Sequence, residues 1–324
     1  MSSQRRTPSA YCICIATLDQ QGQLDETAMH EHFARIAEAG VGIYAAGPPA
    51  EGWTLSPDEV LRILSIALEA ADGRVPVRYM GVEPRQLREA HAQAELSREA
   101  GVDAFQVYSL DVGHGQKPSR TEIEVYFRGV LDASDQRCVL SSHYYEGYVL
   151  DPRLMQSLAE DYPHLVGFNV TNPEILYLAA LLELLPEHVE VHVGGPMQAL
   201  EALALGASGY LSTISNIAPA LCQSVVQAWA DADYEKSHAA LRQLLRLKMR
   251  IYASGGNPPP PHQGRNGSSR ATGNGVEIAA RAGQPGDEAG DRSSGERLRD
   301  GDRGVSGEHR PGPLRAGRCE DLGT

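Results

Sequence analysis

The chain has 324 residues and a formal net charge of −13 at pH 7. That length can bury a large core, or hold one barrel plus an appendage. The acidic balance offers no basic field to collect nucleic-acid phosphates, and no apolar run reaches membrane-spanning length. Residues 1–9 lack the apolar core of a signal peptide, so a cytoplasmic protein is expected. The five cysteines are odd in number and lack zinc spacing, which suits a reducing compartment. Cys12 and Cys14, two apart on one strand, read as small core residues.

Strand and helix signals then alternate eight times. The first strand covers 11–18, and Asp19-Gln20-Gln21-Gly22 turns the chain. Helix 26–39 carries Met29, Phe33 and Ile36 on one face and stops before Gly40. The second strand is 42–46. Its helix opens on Ser56-Pro57-Asp58-Glu59, a capping box with proline at the first helical position, and Leu61, Leu64 and Leu68 form its stripe. The third strand, 75–80, leads into a helix through Leu87, Ala90 and Ala94 that stops at Gly101. The fourth, 104–109, is followed by a loop with Asp111, Gly113, His114 and Gly115 and a second capping box, Ser119-Arg120-Thr121-Glu122. The fifth, 138–142, runs into His143-Tyr144-Tyr145 and a helix entered at Asp151-Pro152. The sixth, 165–168, stops at Asn169 before a helix near Pro173. The seventh, 189–193, ends in Gly194-Gly195-Pro196. The eighth, 209–213, precedes a helix from Pro219, and one more amphipathic helix spans 234–252.

Eight βα units over this length predict an α/β fold of the (β/α)8 TIM-barrel type. The strands are near-continuous apolar runs, as a sheet buried on both faces requires. A doubly wound sheet fits less well, because no dinucleotide-type glycine turn is present. The expected boundaries are a flexible N-terminus at 1–9, the barrel at 10–232, a C-terminal helix at 233–253 and a disordered tail at 254–324. That tail is rich in Gly, Arg, Pro, Ser and Asp and has no usable periodicity. Its composition is also what GC-rich DNA gives when read out of frame, so a frameshift from about Pro258 stands beside a genuine unfolded tail.

Several motifs resemble the dihydrodipicolinate synthase / N-acetylneuraminate lyase family of (β/α)8 aldolases. Ala16-Thr17-Leu18-Asp19 with Gly22 and Leu24-Asp25 follows a T-P-F-x-x-D-G-x-I-D pattern. Gly47 to Thr54-Leu55-Ser56 follows G-T-T-G-E-x-x-x-L-S, and Lys117-Pro118-Ser119 is a third match. The fullest is Gly206-Ala207-Ser208-Gly209-Tyr210-Leu211-Ser212 with Asn216 and Pro219. The resemblance covers about residues 10–253. It implies a lyase acting on a 2-oxo acid through a lysine imine, with no cofactor or metal, in a homodimer or homotetramer.

The chemical positions depart from that pattern. Where the resemblance places the imine-forming lysine, this chain has Asn169, whose amide nitrogen cannot act as an amine nucleophile. The chain has three lysines, Lys117, Lys236 and Lys248, and none falls at a barrel strand end. Ser141 stands at the proton-shuttling tyrosine, with Tyr144 or Tyr145 as residues that could reach back. Pro48 and Pro49 stand where paired hydroxyls would hold the pyruvate carboxylate, and proline offers neither hydroxyl nor N–H. A second tyrosine, which the resemblance places on the loop after the fourth strand for proton relay, falls at His114 or Gly115.

The candidate catalytic side chains are therefore His114, His143 and Tyr144. The candidate substrate-binding residues are Pro48, Pro49, Glu51, Asn169, Gly194 and Leu211. Glu51, Asp111, His114, His143 and Asn169 all belong to strand ends or the loops that follow, where a histidine could serve as general base. The plainer reading is scattered polar residues around a solvent-filled mouth. Gly194-Gly195 either admits a ligand or only turns the chain, and His192, inside the seventh strand, reads as a core histidine. Three functions compete: a remodelled enzyme or binder of a small carbonyl or carboxylic acid compound that uses no imine, a non-catalytic descendant, and an active aldolase or synthase. With Pro48, Pro49 and Leu211 near its floor, the pocket should favour a ligand less acidic than pyruvate.

Overall fold

The computed structural model describes residues 7–143 and 147–253. Eight parallel strands close into a barrel in sequential order: β1 (Ser9–Ile13), β2 (Gly42–Ala45), β3 (Val77–Tyr79), β4 (Ala104–Val107), β5 (Cys138–His143), β6 (Leu165–Thr171), β7 (Glu190–Gly194) and β8 (Gly209–Ser212). β1 pairs with β8, Tyr11 opposite Leu211, and this pairing closes the ring. Helices α1 (Glu26–Glu38), α2 (Pro57–Ala71), α3 (Leu87–Ala100), α4 (Arg120–Asp132), α5 (Pro152–Asp161), α6 (Ile175–Leu184), α7 (Ala199–Leu205) and α8 (Pro219–Ala230) alternate with them, and α9 (Tyr234–Ala253) packs on α8. This is a (β/α)8 TIM barrel with a C-terminal helix. No helix among the described residues is long and apolar enough to cross a membrane.

Local chemistry sets the helix starts. Ser56 and Glu59 form the reciprocal capping box of α2, and Ser119 and Glu122 do the same for α4. The Asp25 side chain accepts from Ala28 N at the start of α1. Met29, Phe33 and Ile36 of α1 are fully buried, as their spacing predicts. On α2 the buried stripe is Val60, Ile63, Leu64 and Ala67, with Leu61 and Leu68 only half-buried.

The strand bounds all differ somewhat from expectation, and two of the differences shape the lumen. β1 stops at Ile13, five residues early, because the Asn216 side chain takes the Ile13 carbonyl and the Ile15 N–H. Leu18 then bridges Leu24 in a small antiparallel turn. β6 does not stop at Asn169. It continues to Thr171, since β5 extends to His143 and pairs Ser141 with Asn169 and His143 with Thr171. A polar residue there ends nothing, because it points into a polar lumen while Phe168 and Val170 face the helices.

Two glycines make room inside. A Cβ on Gly42 would lie 2.4 Å from the Tyr11 ring, and one on Gly194 would lie 1.9 Å from Thr171 Oγ1. The Thr171 side chain thus occupies the space that a side chain at Gly194 would need.

Candidate active site in the barrel lumen

Alternation along the strands gives the lumen its lining, and the lining is largely polar. Nearest the N-terminal end, Arg78 of β3 donates through Nη2 to Glu190 Oε2 of β7 at 2.8 Å and through Nη1 to the Tyr44 hydroxyl at 3.2 Å. Its guanidinium lies 4.5 Å from the centre of the Tyr11 ring. Burial works against the charge, but Tyr44, Tyr11 and Glu190 outweigh it and raise the Arg78 pKa, so the group stays cationic. His192 is the core histidine its position predicts: its Nε2 lies 2.8 Å from Ser9 Oγ, and its ring meets Tyr11 edge-on.

Asn169 occupies the next level. Its Nδ2 donates to the Tyr44 hydroxyl at 3.0 Å and to Gln106 Oε1 of β4. Its Oδ1 is buried and has no hydrogen-bond partner among the described residues. The residue is 4 % exposed, so the unpaired acceptor is shielded from bulk water. A continuous polar chain, Glu190–Arg78–Tyr44–Asn169–Gln106, crosses the barrel beneath that atom.

Above it the mouth is built by four consecutive βα units. Met80, Tyr108 and Leu211 pack with Tyr11 and Tyr44 into an inner apolar cluster. His143, on the same face of β5 as Ser141, meets the Tyr108 ring edge-on at 5.4 Å. Its Nε2 lies 3.7 Å from Glu83 Oε1, on the loop after β3. The Trp53 indole, from the loop after β2, hydrogen-bonds to Glu83, and Asp111, after β4, adds negative charge nearby. Burial lowers the His143 pKa to about 4. It raises that of Glu83, with Asp111 adding to the shift and Trp53 partly opposing it.

The other expected residues fall around this centre. Ser141 is buried beside Asn169 as its strand partner. Leu211 is buried in the inner cluster. Pro48 and Pro49 form a short 3-10 turn after β2, and Glu51, half-buried with φ of 54°, ends it. His114 is exposed on the loop after β4, away from the buried centre. Tyr144, with the rest of 144–146, the first six residues and the proposed tail from 254, lies outside the described residues. Glu83, Tyr44, Gln106 and Arg78 were not singled out from sequence. The alternation of β2, β3 and β4 carried the signal for the last three. Among the described residues no three His, Cys, Asp or Glu side chains converge as a metal site. All three lysines stand outside the lumen: Lys117 on an exposed loop, Lys236 and Lys248 on α9.

A family profile described as the dihydrodipicolinate synthetase family matches residues 9–261. The chain belongs to that family. Two members named 4-hydroxy-tetrahydrodipicolinate synthase are similar to it: one from Methanopyrus kandleri, 28% identical over 239 residues, covering 73% of this chain and 78% of the relative; the other from Hyphomonas neptunium, 30% identical over 245 residues, covering 74% and 82%. Among solved structures, YagE of E. coli K12, a prophage protein of the dihydrodipicolinic acid synthase family in complex with pyruvate, superposes with a TM-score of 0.71 at 22% identity, covering 85% of this chain and 97% of that one. A monomeric dihydrodipicolinate synthase variant gives 0.73 at 19% identity, covering 85% and 95%. At these identities the structures support the fold. Membership in the dihydrodipicolinate synthetase family makes this a lyase-like barrel, and the match to it ends at residue 261, close to where the family motifs run out.

Proposed function

We propose that this family member binds and transforms a small polar carbonyl compound without forming a lysine imine. The observation that carries the reading is the placement of Asn169. It stands where the resemblance puts the imine-forming lysine, and its amide nitrogen is engaged by Tyr44 and Gln106. An amide nitrogen is delocalised into its carbonyl and does not attack a ketone. No other described side chain in the lumen supplies an amine, since Lys117, Lys236 and Lys248 sit on the outside. What Asn169 offers instead is an open acceptor, Oδ1, suited to a ligand hydroxyl or N–H. Pro48 and Pro49 present no hydroxyl for a carboxylate, and Asp111 at the mouth opposes an anion, so a neutral ligand fits better than pyruvate.

The test is borohydride trapping. The protein is incubated with pyruvate, reduced, and read by intact mass, with any adduct mapped by peptide. No stoichiometric pyruvyl adduct is expected. A single stoichiometric adduct would return the protein to the aldolase or synthase chemistry named for its relatives.

A further inference from the structure

Glu83 and His143 are the groups at the mouth that the family resemblance does not supply. We infer that they form a proton-transfer pair for a small neutral hydroxyaldehyde or hydroxyketone, His143 taking a proton from the carbon beside the carbonyl and Glu83 giving one to the carbonyl oxygen. The inference rests on the imine-free reading, because an imine would itself activate that carbon.

Three observations lead here. The first is geometry. His143 Nε2 and Glu83 Oε1 stand 3.7 Å apart, too far for a direct hydrogen bond and close enough to flank one ligand. The second is anchoring. The Trp53 indole hydrogen-bonds to Glu83, and Tyr108 packs edge-on against His143, so both groups are held from neighbouring βα units. The third is the open acceptor below. Asn169 Oδ1 is buried without a hydrogen-bond partner among the described residues. Asn169 and Thr171 are the strand partners of Ser141 and His143, which places the amide one inward step beneath the imidazole. A hydroxyl on the ligand can donate to that oxygen.

Among the described residues, Asp111 and Tyr108 face the pair from the β4 side and Trp53 from the loop after β2. Burial favours the uncharged form of each partner, which is neutral imidazole with protonated carboxyl. In water the proton would rest on the histidine; here its preference shifts toward the carboxyl, as the step requires. In that step the C–H bond breaks and its proton joins His143 Nε2. The electron pair moves into the C–C bond, and the carbonyl oxygen takes the Glu83 proton, leaving an enediol, an imidazolium and a carboxylate. Reversal restores the pair, and exchange of the imidazolium proton with solvent labels the substrate.

The experiment uses dihydroxyacetone in deuterium oxide and follows loss of its C–H signal by proton NMR. Exchange well above the protein-free rate is expected, lowered roughly a hundredfold or more in Glu83→Gln and in His143→Gln. Exchange no faster than background, or exchange unchanged in both variants, overturns the inference. Thermal melts report whether the variants fold. If either does not, the wild-type pH profile decides: the rate must fall as pH drops toward 4, where His143 takes up its proton, and a profile flat through that range refutes the pair. A parallel sample is reduced with borohydride. A dihydroxyacetone adduct on a lysine sinks the imine-free reading itself, whereas no adduct and no exchange sinks only the proton-transfer pair.

Discussion

Two buried asparagines in this barrel carry the same side chain and are used in opposite ways. Asn216, in the turn after β8, has every polar atom engaged. Its Oδ1 accepts from Ile15 N at 3.2 Å and from His32 Nε2 at 2.9 Å; its Nδ2 donates to the carbonyls of Ile13 and Thr213, both at 2.8 Å. Arg35 holds the other side, donating to His32 Nδ1 and to the Asn216 carbonyl. Asn169 spends only its amide nitrogen and leaves its oxygen open. Folding tolerates a buried unpaired acceptor reluctantly. A fully used amide is therefore a staple of the fold, and we propose that the open one, in the barrel lumen, serves a ligand.

The largest effect that can break this contrast is at Asn216. Asn216→Ala strands Ile15 N, two carbonyls and the His32 ring in a buried turn, at about 1–3 kcal/mol for each group that water does not reach. A loss of about 4 kcal/mol is expected, lowering the melting temperature by on the order of 10 °C in a domain of this size. Calorimetry checks it, and a melting point within about 2 °C of wild type would show that the staple holds little.

The next effect is the pH dependence from His143. Its folded pKa is depressed by burial from 6.5 to about 4. The unfolded chain therefore binds more protons in that window, and stability falls as pH drops from 6.5 towards 4. At about 1.4 kcal/mol per unit, the full window amounts to about 3 kcal/mol. Glu83 acts with the opposite sign. Its raised folded pKa makes stability fall as pH rises above its ordinary value of 4.5. The comparison to make is therefore wild type minus His143→Gln, by urea titration across pH 4 to 7, which leaves the Glu83 contribution common to both curves. A difference that stays flat would mean the imidazole is solvated.

A smaller effect separates the two amides directly. Asn169→Ala removes one open acceptor and leaves the Arg78–Tyr44 bond in place, exposing mainly Gln106 Oε1 to an empty spot. The expected cost is about 1 kcal/mol, well short of that at Asn216. Equal losses at both positions would make Asn169 a second staple and remove the ground for a ligand there.

Much of this architecture could be read in the sequence, and the reasons are local. The capping boxes at Ser56 and Ser119 announce two helix starts within four residues each, and Met29, Phe33 and Ile36 fix the buried face of α1 by spacing alone. Asn169 stands out as a polar residue that interrupts an apolar run, and a strand's end is the first reading of such an interruption. Alternation explains it better, because an inward face lined by Arg78, Gln106 and Asn169 is a polar lumen. Reading each strand as one apolar run hid Arg78 and Gln106. Glu83 was not legible for another reason. It lies in a loop with no spacing relation to His143, 60 residues on in the chain, and only barrel closure brings them to 3.7 Å. His114, equally conspicuous in sequence, sits on an exposed turn with φ of 51°, between Gly113 and Gly115, whose φ values are also positive.

The smallest expected effect is the most diagnostic. Asn169→Lys restores the residue type that the resemblance places at this position, yet we expect no measurable condensation of pyruvate. The new amine would arrive without its partners. Ser141 is too short to act as the tyrosine shuttle and is buried against β6. Pro48 and Pro49, in their 3-10 turn, leave the carboxylate without hydroxyl donors, and Asp111 repels it. Positioning and preorganised donors supply most of the acceleration in such reactions, so an amine alone recovers little. Arg78 adds to the difficulty: it lies one hydroxyl away, through Tyr44, and a second cation there favours the unprotonated amine but disfavours the positively charged imine. Borohydride trapping and a pyruvate-dependent aldol assay on the purified variant make the measurement. Efficient turnover from this single change would mean that the lumen still matches a pyruvate imine, and that Asn169 alone separates this chain from its synthase relatives.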